Sequence, residues 1–306
     1  MTSGIFDDIT RAFVTTLEAG TLSLGAFSLP LLGAFALIGW YWTFGRQLAA
    51  GGGQMGEALA GALLYAVNIG VAYWLLVNLS GIATAAYQTF LQWGLAAGGG
   101  ATAGLLLTPS TVVDMGFQIA KPLMDYTARQ TGWSALWNFS QILMYDLAAT
   151  AIVVSFPFVG VALMITQIEY HLSVMVGAVL IPFGIFGPTA FLTEFCLGWI
   201  TGSLLRVLVT SVLVGAGFPL FSTAVIALTA GADPTLYSAI IVALISLLYA
   251  GLTWWVPNKA ASMCGRVAIG LSASTVVGSA MGVGRVALAG AQAVRGASQM
   301  MQRRTT

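Results

Sequence analysis

From Ala58 to Val113 the chain contains no Asp, Glu, Lys or Arg. A water-soluble domain spreads charge over its surface, with about a quarter of its residues charged. Here the charged share of the whole chain is 7%, the hydrophobic share 58% and the mean hydropathy +0.91. A soluble exterior cannot be assembled from such a chain, and lipid is the solvent that suits it. In lipid, only helices and closed barrels satisfy their backbone groups internally. The apolar runs are continuous rather than alternating over segments of about ten residues, which argues against a barrel. The expected fold class is therefore all-α: a polytopic transmembrane helix bundle with a periplasmic helical region and a basic C-terminal helix.

Residues 1–25 read as an N-terminal amphipathic helix. Phe6, Ile9, Phe13 and Leu17 recur at helical spacing, with Asp7, Asp8, Arg11 and Glu18 elsewhere on the circumference. The acids flanking a lone arginine do not form the basic start of a cleavable signal peptide. Residues 26–79 hold the first two expected spans, about 26–45 and 58–79. The first closes on Trp40-Tyr41-Trp42 and Arg46, a headgroup-level pattern. Residues 80–145 read as a central periplasmic region. There Thr111, Asp114, Gln118, Lys121, Asp125 and Arg129 fall three or four apart and form one polar stripe on a helix.

Residues 146–257 carry the remaining segments. A third span over about 145–167 is expected to end at the polar knot Glu169-Tyr170-His171. A fourth, 172–193, is broken at 181–184, where Pro182 and Gly184 interrupt the backbone ladder. A fifth, 196–227, carries Arg206, and a sixth covers 236–256. The tail, 258–306, has Lys259, Arg266, Arg285, Arg295, Arg303 and Arg304 and no acid. Basic segments stay cytoplasmic, which places the tail inside; Arg46 places the first connection inside and the N-terminus in the periplasm. An odd number of crossings is then required, met by five full spans plus the broken segment.

Chemistry is sparse. No nucleophile elbow, zinc-protease helix, P-loop or dinucleotide fingerprint is present. His171 is the sole histidine, and Cys196 and Cys264 have no metal-site spacing. The reading is a non-enzyme without a cofactor, with bound phospholipid as the one ligand allowed for. Ionisable groups near lipid are costly and often functional, which makes Arg206, Glu169, Glu194 and Asp146 candidates for a channel lining or subunit contact. The bland reading of the three acids is solvation at span ends, and that of Arg206 an ion pair with a neighbouring helix. Glu169 and His171, two apart, should not face one another. Thr111, Gln118, Lys121 and Arg129 are candidates for a periplasmic contact. Lys259, Arg266, Arg285 and Arg295 are candidates for lipid headgroups, or simply obey the positive-inside rule.

The stretch from Ile165 to Gly198 resembles the TrbL branch of the conjugal-transfer inner-membrane proteins, which serve type IV secretion systems. It contains Ile-Thr-Gln-Ile-Glu-Tyr-His-Leu, then Val-Leu-Ile-Pro-Phe-Gly-Ile-Phe-Gly-Pro-Thr-Ala-Phe-Leu-Thr-Glu. A Glu-aromatic pair ahead of a Pro-Phe-Gly break and a Thr-Ala-Phe-Leu run is the family's pattern. Asn68-Ile69-Gly70 through Trp74 to Asn78, and Pro109-Ser110 with Gly116, are similar to its second span and central region. The resemblance covers about 60–220. It implies a homo-oligomer in the bacterial inner membrane, a ring of copies with a pentamer among the options. It also implies an extracytoplasmic N-terminus and a role in passing DNA or protein. The implied partners are the minor pilin, pilin subunits, other inner-membrane secretion components and transferred single-stranded DNA. Two rivals differ in kind: a secondary transporter whose broken helix at Pro182-Gly184 holds the substrate, and a pilus-assembly scaffold with no conduit.

Overall fold

The computed structural model describes residues 4–49, 55–99, 108–130, 137–229 and 234–264. Among them the regular structure is helical throughout: α1 (Gly4–Ala49), α2 (Met55–Val77), α3 (Leu79–Ala97), α4 (Pro109–Arg129), α5 (Phe139–Leu180), α6 (Ala190–Thr229) and α7 (Leu236–Cys264). Short 3-10 turns over Ile181–Ile185 and Gly187–Thr189 join α5 to α6. Among the described residues four stretches are long and apolar enough to cross a membrane, or five when α2 and α3, bent by 68°, count as one broken span. The chain is an all-α, multi-pass membrane protein.

Several expected boundaries differ. The amphipathic helix and first span are one continuous helix, α1, of 46 residues. Nothing between 19 and 26 breaks a helix, and Pro30 is carried inside it, as membrane helices allow. The knot Glu169-Tyr170-His171 likewise ends nothing. None of these residues removes a backbone donor, and α5 runs through them for 42 residues. Within the expected periplasmic region 80–145, α3 is an apolar helix lying along α6. Gly94 and Gly98 provide the close approach: a Cβ on Gly98 would lie 2.6 Å from the Val212 carbonyl, and one on Gly94 would overlap the Ser211 hydroxyl. At 1.5 Å per residue, α1, α5 and α6 are each about 60–70 Å long, roughly twice the hydrocarbon thickness.

Two cores divide the bundle along α5. The first gathers Ile119 and Leu123 of α4, Ile152, Phe156 and Val159 of α5, Phe221 of α6 and Val242 of α7. Here α4 lies against α5 at glycines: a Cβ on Gly116 would overlap the Phe156 side chain, and one on Gly160 would lie 3.0 Å from the Pro109 carbonyl. The second core joins Leu32 of α1, Leu76, Leu79 and Ala83 of α2 and α3, Tyr170, Val174 and Ala178 of α5, and Val207 of α6. Tyr170 and Val207 of this second core stand next in sequence to the polar residues Glu169, His171 and Arg206.

Candidate functional site

Successive residues on a helix are turned by about 100° from one another. Glu169, Tyr170 and His171 therefore address three different neighbours. Glu169 forms an ion pair with Arg206 of α6, both side chains mostly buried. Tyr170 is 1% exposed and donates its hydroxyl to the Ala83 carbonyl of α3 at 2.7 Å. His171 turns to α1, its Nδ1 3.9 Å from Oε1 of Glu18. Tyr87 of α3 covers both rings, with its centroid 5.5 Å from that of Tyr170 and 5.6 Å from that of His171. Near the triplet, the Ser173 hydroxyl lies 3.0 Å from that of Ser203 on α6. Three consecutive residues thus fasten α5 to α6, α3 and α1.

Of the four candidates for a channel or subunit contact, the structure brings two together. Asp146 is exposed near the start of α5, about 35 Å along that helix from Glu169. Glu194 is half-buried at the start of α6, about 18 Å from Arg206 along the axis. Among the described residues neither forms an ion pair with a base. Arg206 has a further feature: its Nε is buried without a hydrogen-bond partner, as is Oγ1 of Thr210 one turn later.

The candidates on α4 stand apart from this centre. Thr108 caps the helix, accepting from the Thr111 backbone N–H. Gln118, Lys121 and Arg129 are exposed, while Thr111 is half-buried. Thr111, Asp114 and Gln118 line a cavity of about 160 Å³ with Phe156, Phe218 and Tyr249. The start of α4 is tied to α1 by a reciprocal pair. The Ser110 N–H donates to Oδ1 of Asp7 at 3.0 Å, and the Asp7 N–H donates to the Ser110 hydroxyl at 3.3 Å.

Pro182 and Gly184 lie in the first 3-10 turn. Threonines meet the carbonyls this break frees: Thr193 donates to Leu180 at 2.7 Å and Thr189 to Phe183 at 2.8 Å. Phe183 packs on Phe35 of α1, with centroids 4.7 Å apart. Lys259 is an exposed residue of α7 with Nζ 5.6 Å from the Trp255 ring centroid. Arg266, Arg285 and Arg295 lie outside the described residues.

Reading the sequence for sites missed Glu18, Tyr87, Asp7 and Thr210. Glu18 carried a signal, because no other charged residue occurs between Arg11 and Arg46. An isolated acid in an apolar run asks for a partner.

Residues 35–256 match the sequence model of a family described as TrbL/VirB6 plasmid conjugal transfer protein. The match takes in the triplet, Arg206, the 181–189 break and α4. No curated protein matches the chain.

Proposed function

The chain belongs to the TrbL/VirB6 plasmid conjugal transfer family, and from that premise we propose that it is an inner-membrane subunit of a conjugative type IV secretion apparatus. In this reading several copies form a ring that serves as platform and conduit wall for DNA and protein translocation and for pilus assembly. The N-terminus is periplasmic and the basic tail cytoplasmic.

One observation carries the reading. The bundle pairs polar side chains inside itself and leaves its outside apolar. Glu169 is matched with Arg206 and His171 with Glu18, whereas Phe27, Leu37, Phe195 and Leu248 are 76%, 74%, 72% and 67% exposed. An exterior of that kind suits lipid and neighbouring membrane subunits. A single bundle whose central guanidinium is matched by Glu169 has little with which to line a passage for DNA, so the passage falls between copies. The polar stripe of α4, with Gln118, Lys121 and Arg129 outward, is the surface offered to the axis or to the minor pilin.

Photocrosslinking amino acids at Gln118 and Lys121, placed in donor cells during mating, test this surface. Crosslinks to transferred DNA support a conduit; crosslinks to pilin components alone support a scaffold. Normal transfer with crosslinks to neither refutes the assignment of α4.

The rival transporter reading gains one observation. The α2–α3 bend at Asn78 is a second broken segment, and α2 meets the 181–185 turn. Paired broken helices mark many transporter sites. Solute uptake that follows the gene while conjugal transfer does not would favour it.

A further inference from the structure

Thr111, Asp114 and Gln118 fall three and four residues apart on α4, so they share one helix face. Together with Met115 they line the cavity of about 160 Å³ to which α6 contributes Phe218 and α7 contributes Tyr249. Three other acids of the bundle have partners: Asp7 takes the Ser110 N–H, Glu18 faces His171 and Glu169 meets Arg206. Asp114 is half-buried and, among the described residues, has neither an ion pair nor a hydrogen bond. Among those residues no lysine or arginine lines the cavity.

The one charged group on the wall is thus a carboxylate, and charge selects the occupant. An anion is repelled. A neutral apolar molecule would strip the carboxylate of solvent and give nothing back, a costly exchange. A hard metal cation takes about six or more oxygen ligands, whereas this wall sets one carboxylate beside a thioether and two aromatic rings. The Gln118 amide carries N–H donors as well as its oxygen, but a neutral amide does not offset the carboxylate charge.

An aliphatic primary ammonium matches both parts of the wall. Its three N–H groups suit the Asp114 carboxylate, the Gln118 amide oxygen and the Thr111 hydroxyl oxygen. Its carbon chain suits Met115, Phe218 and Tyr249, and aromatic rings favour a cation beside them. Tyr249 directs its own O–H to the Leu213 carbonyl at 3.3 Å, so its phenol is not a donor to Asp114. The cavity is close in size to the roughly 150 Å³ apolar cavity that takes benzene, which limits the occupant to a short chain.

We propose that the α4–α6–α7 cavity binds an aliphatic primary ammonium, with Asp114 as its counter-ion. A free amine and the ethanolamine headgroup of a phospholipid share this chemistry.

The test is a ligand-observed NMR titration of n-butylammonium into the full chain in dodecyl maltoside micelles, which contain no amine. The ion should bind saturably. n-Butanol, without the charge, and tetramethylammonium, without the N–H groups, should bind at least about tenfold more weakly, the worth of one hydrogen bond to a charged group. Asp114→Asn should lose about the same factor. Asp125→Asn, which alters an exposed carboxylate of α4 outside the cavity, should lose none. Absence of saturable binding, equal binding of either comparison compound, or unchanged binding to Asp114→Asn overturns the proposal. Asp114 has no partner in the fold, so its variant should keep the wild-type thermal midpoint; if it does not fold, the comparison of n-butylammonium with n-butanol on the wild type decides. Added phosphatidylethanolamine that raises the n-butylammonium Kd, where phosphatidylglycerol does not, makes the occupant a lipid headgroup. An unchanged Kd makes it a soluble amine.

Discussion

Replacing Glu169 by Gln leaves Arg206 charged between α5 and α6 with no counter-ion. Removing one member of a fully buried pair costs about 3–5 kcal/mol. Here the arginine and glutamate side chains are 18% and 25% exposed, so burial is incomplete and the cost falls to about 2–3 kcal/mol. That corresponds to a loss of about 30- to 150-fold in the folded-to-unfolded ratio. Removing both charges at once, as in Glu169→Gln with Arg206→Met, costs less than the first substitution alone, because no charge is stranded. The coupling energy between the sites should be about 2 kcal/mol. Unfolding of the purified protein in mixed micelles, followed by tryptophan fluorescence, measures Glu169→Gln, Arg206→Met and the double variant against wild type. Conjugal transfer should follow the same order, with the double variant above the single. If the double variant is as unstable as the sum of the two singles, the residues are not coupled and the polar centre does not hold α5 to α6.

Three further outcomes follow from the same contacts. Gly116→Val places a side chain where Phe156 sits and should destabilise by about 1–3 kcal/mol, seen as α4 becoming protease-sensitive before α5. Tyr170→Phe keeps the ring stacked on Tyr87 and loses only the bond to Ala83. It should lower stability by about 0.5–1.5 kcal/mol in the same micelle assay without abolishing transfer. Lys121→Ala with Arg129→Ala alters exposed side chains and should shift stability by less than about 0.5 kcal/mol while reducing transfer. Unchanged transfer, pilus assembly and protein level would remove α4 from the contact surface.

The class of the fold was legible because it rests on composition: a chain with 7% charged residues has few solvents open to it. The break at Pro182 and Gly184 was legible because proline and glycine act on the backbone locally. The break at Asn78 was less so. Asn78 turns its amide to the Trp74 carbonyl at 2.8 Å, but Asn258 makes the same bond to Trp254 at 2.7 Å inside the unbroken α7, so an asparagine alone does not announce a break. The knot at Glu169 was misjudged for a physical reason. Polarity was taken to require water, whereas Arg206, Ala83 and Glu18 supply the partners from three other helices. That Glu169 and His171 do not share a partner followed from the helical period alone. Which residue each one meets did not, since Glu18 and His171 are separated by most of the intervening fold.

The most direct test of the central reading is plasmid transfer from donors deleted for this gene, with and without a plasmid-borne copy. Loss of transfer, restored by the wild-type copy and poorly by the Glu169→Gln copy at equal protein level, is the predicted result. Transfer that persists in the deleted donor would contradict the account.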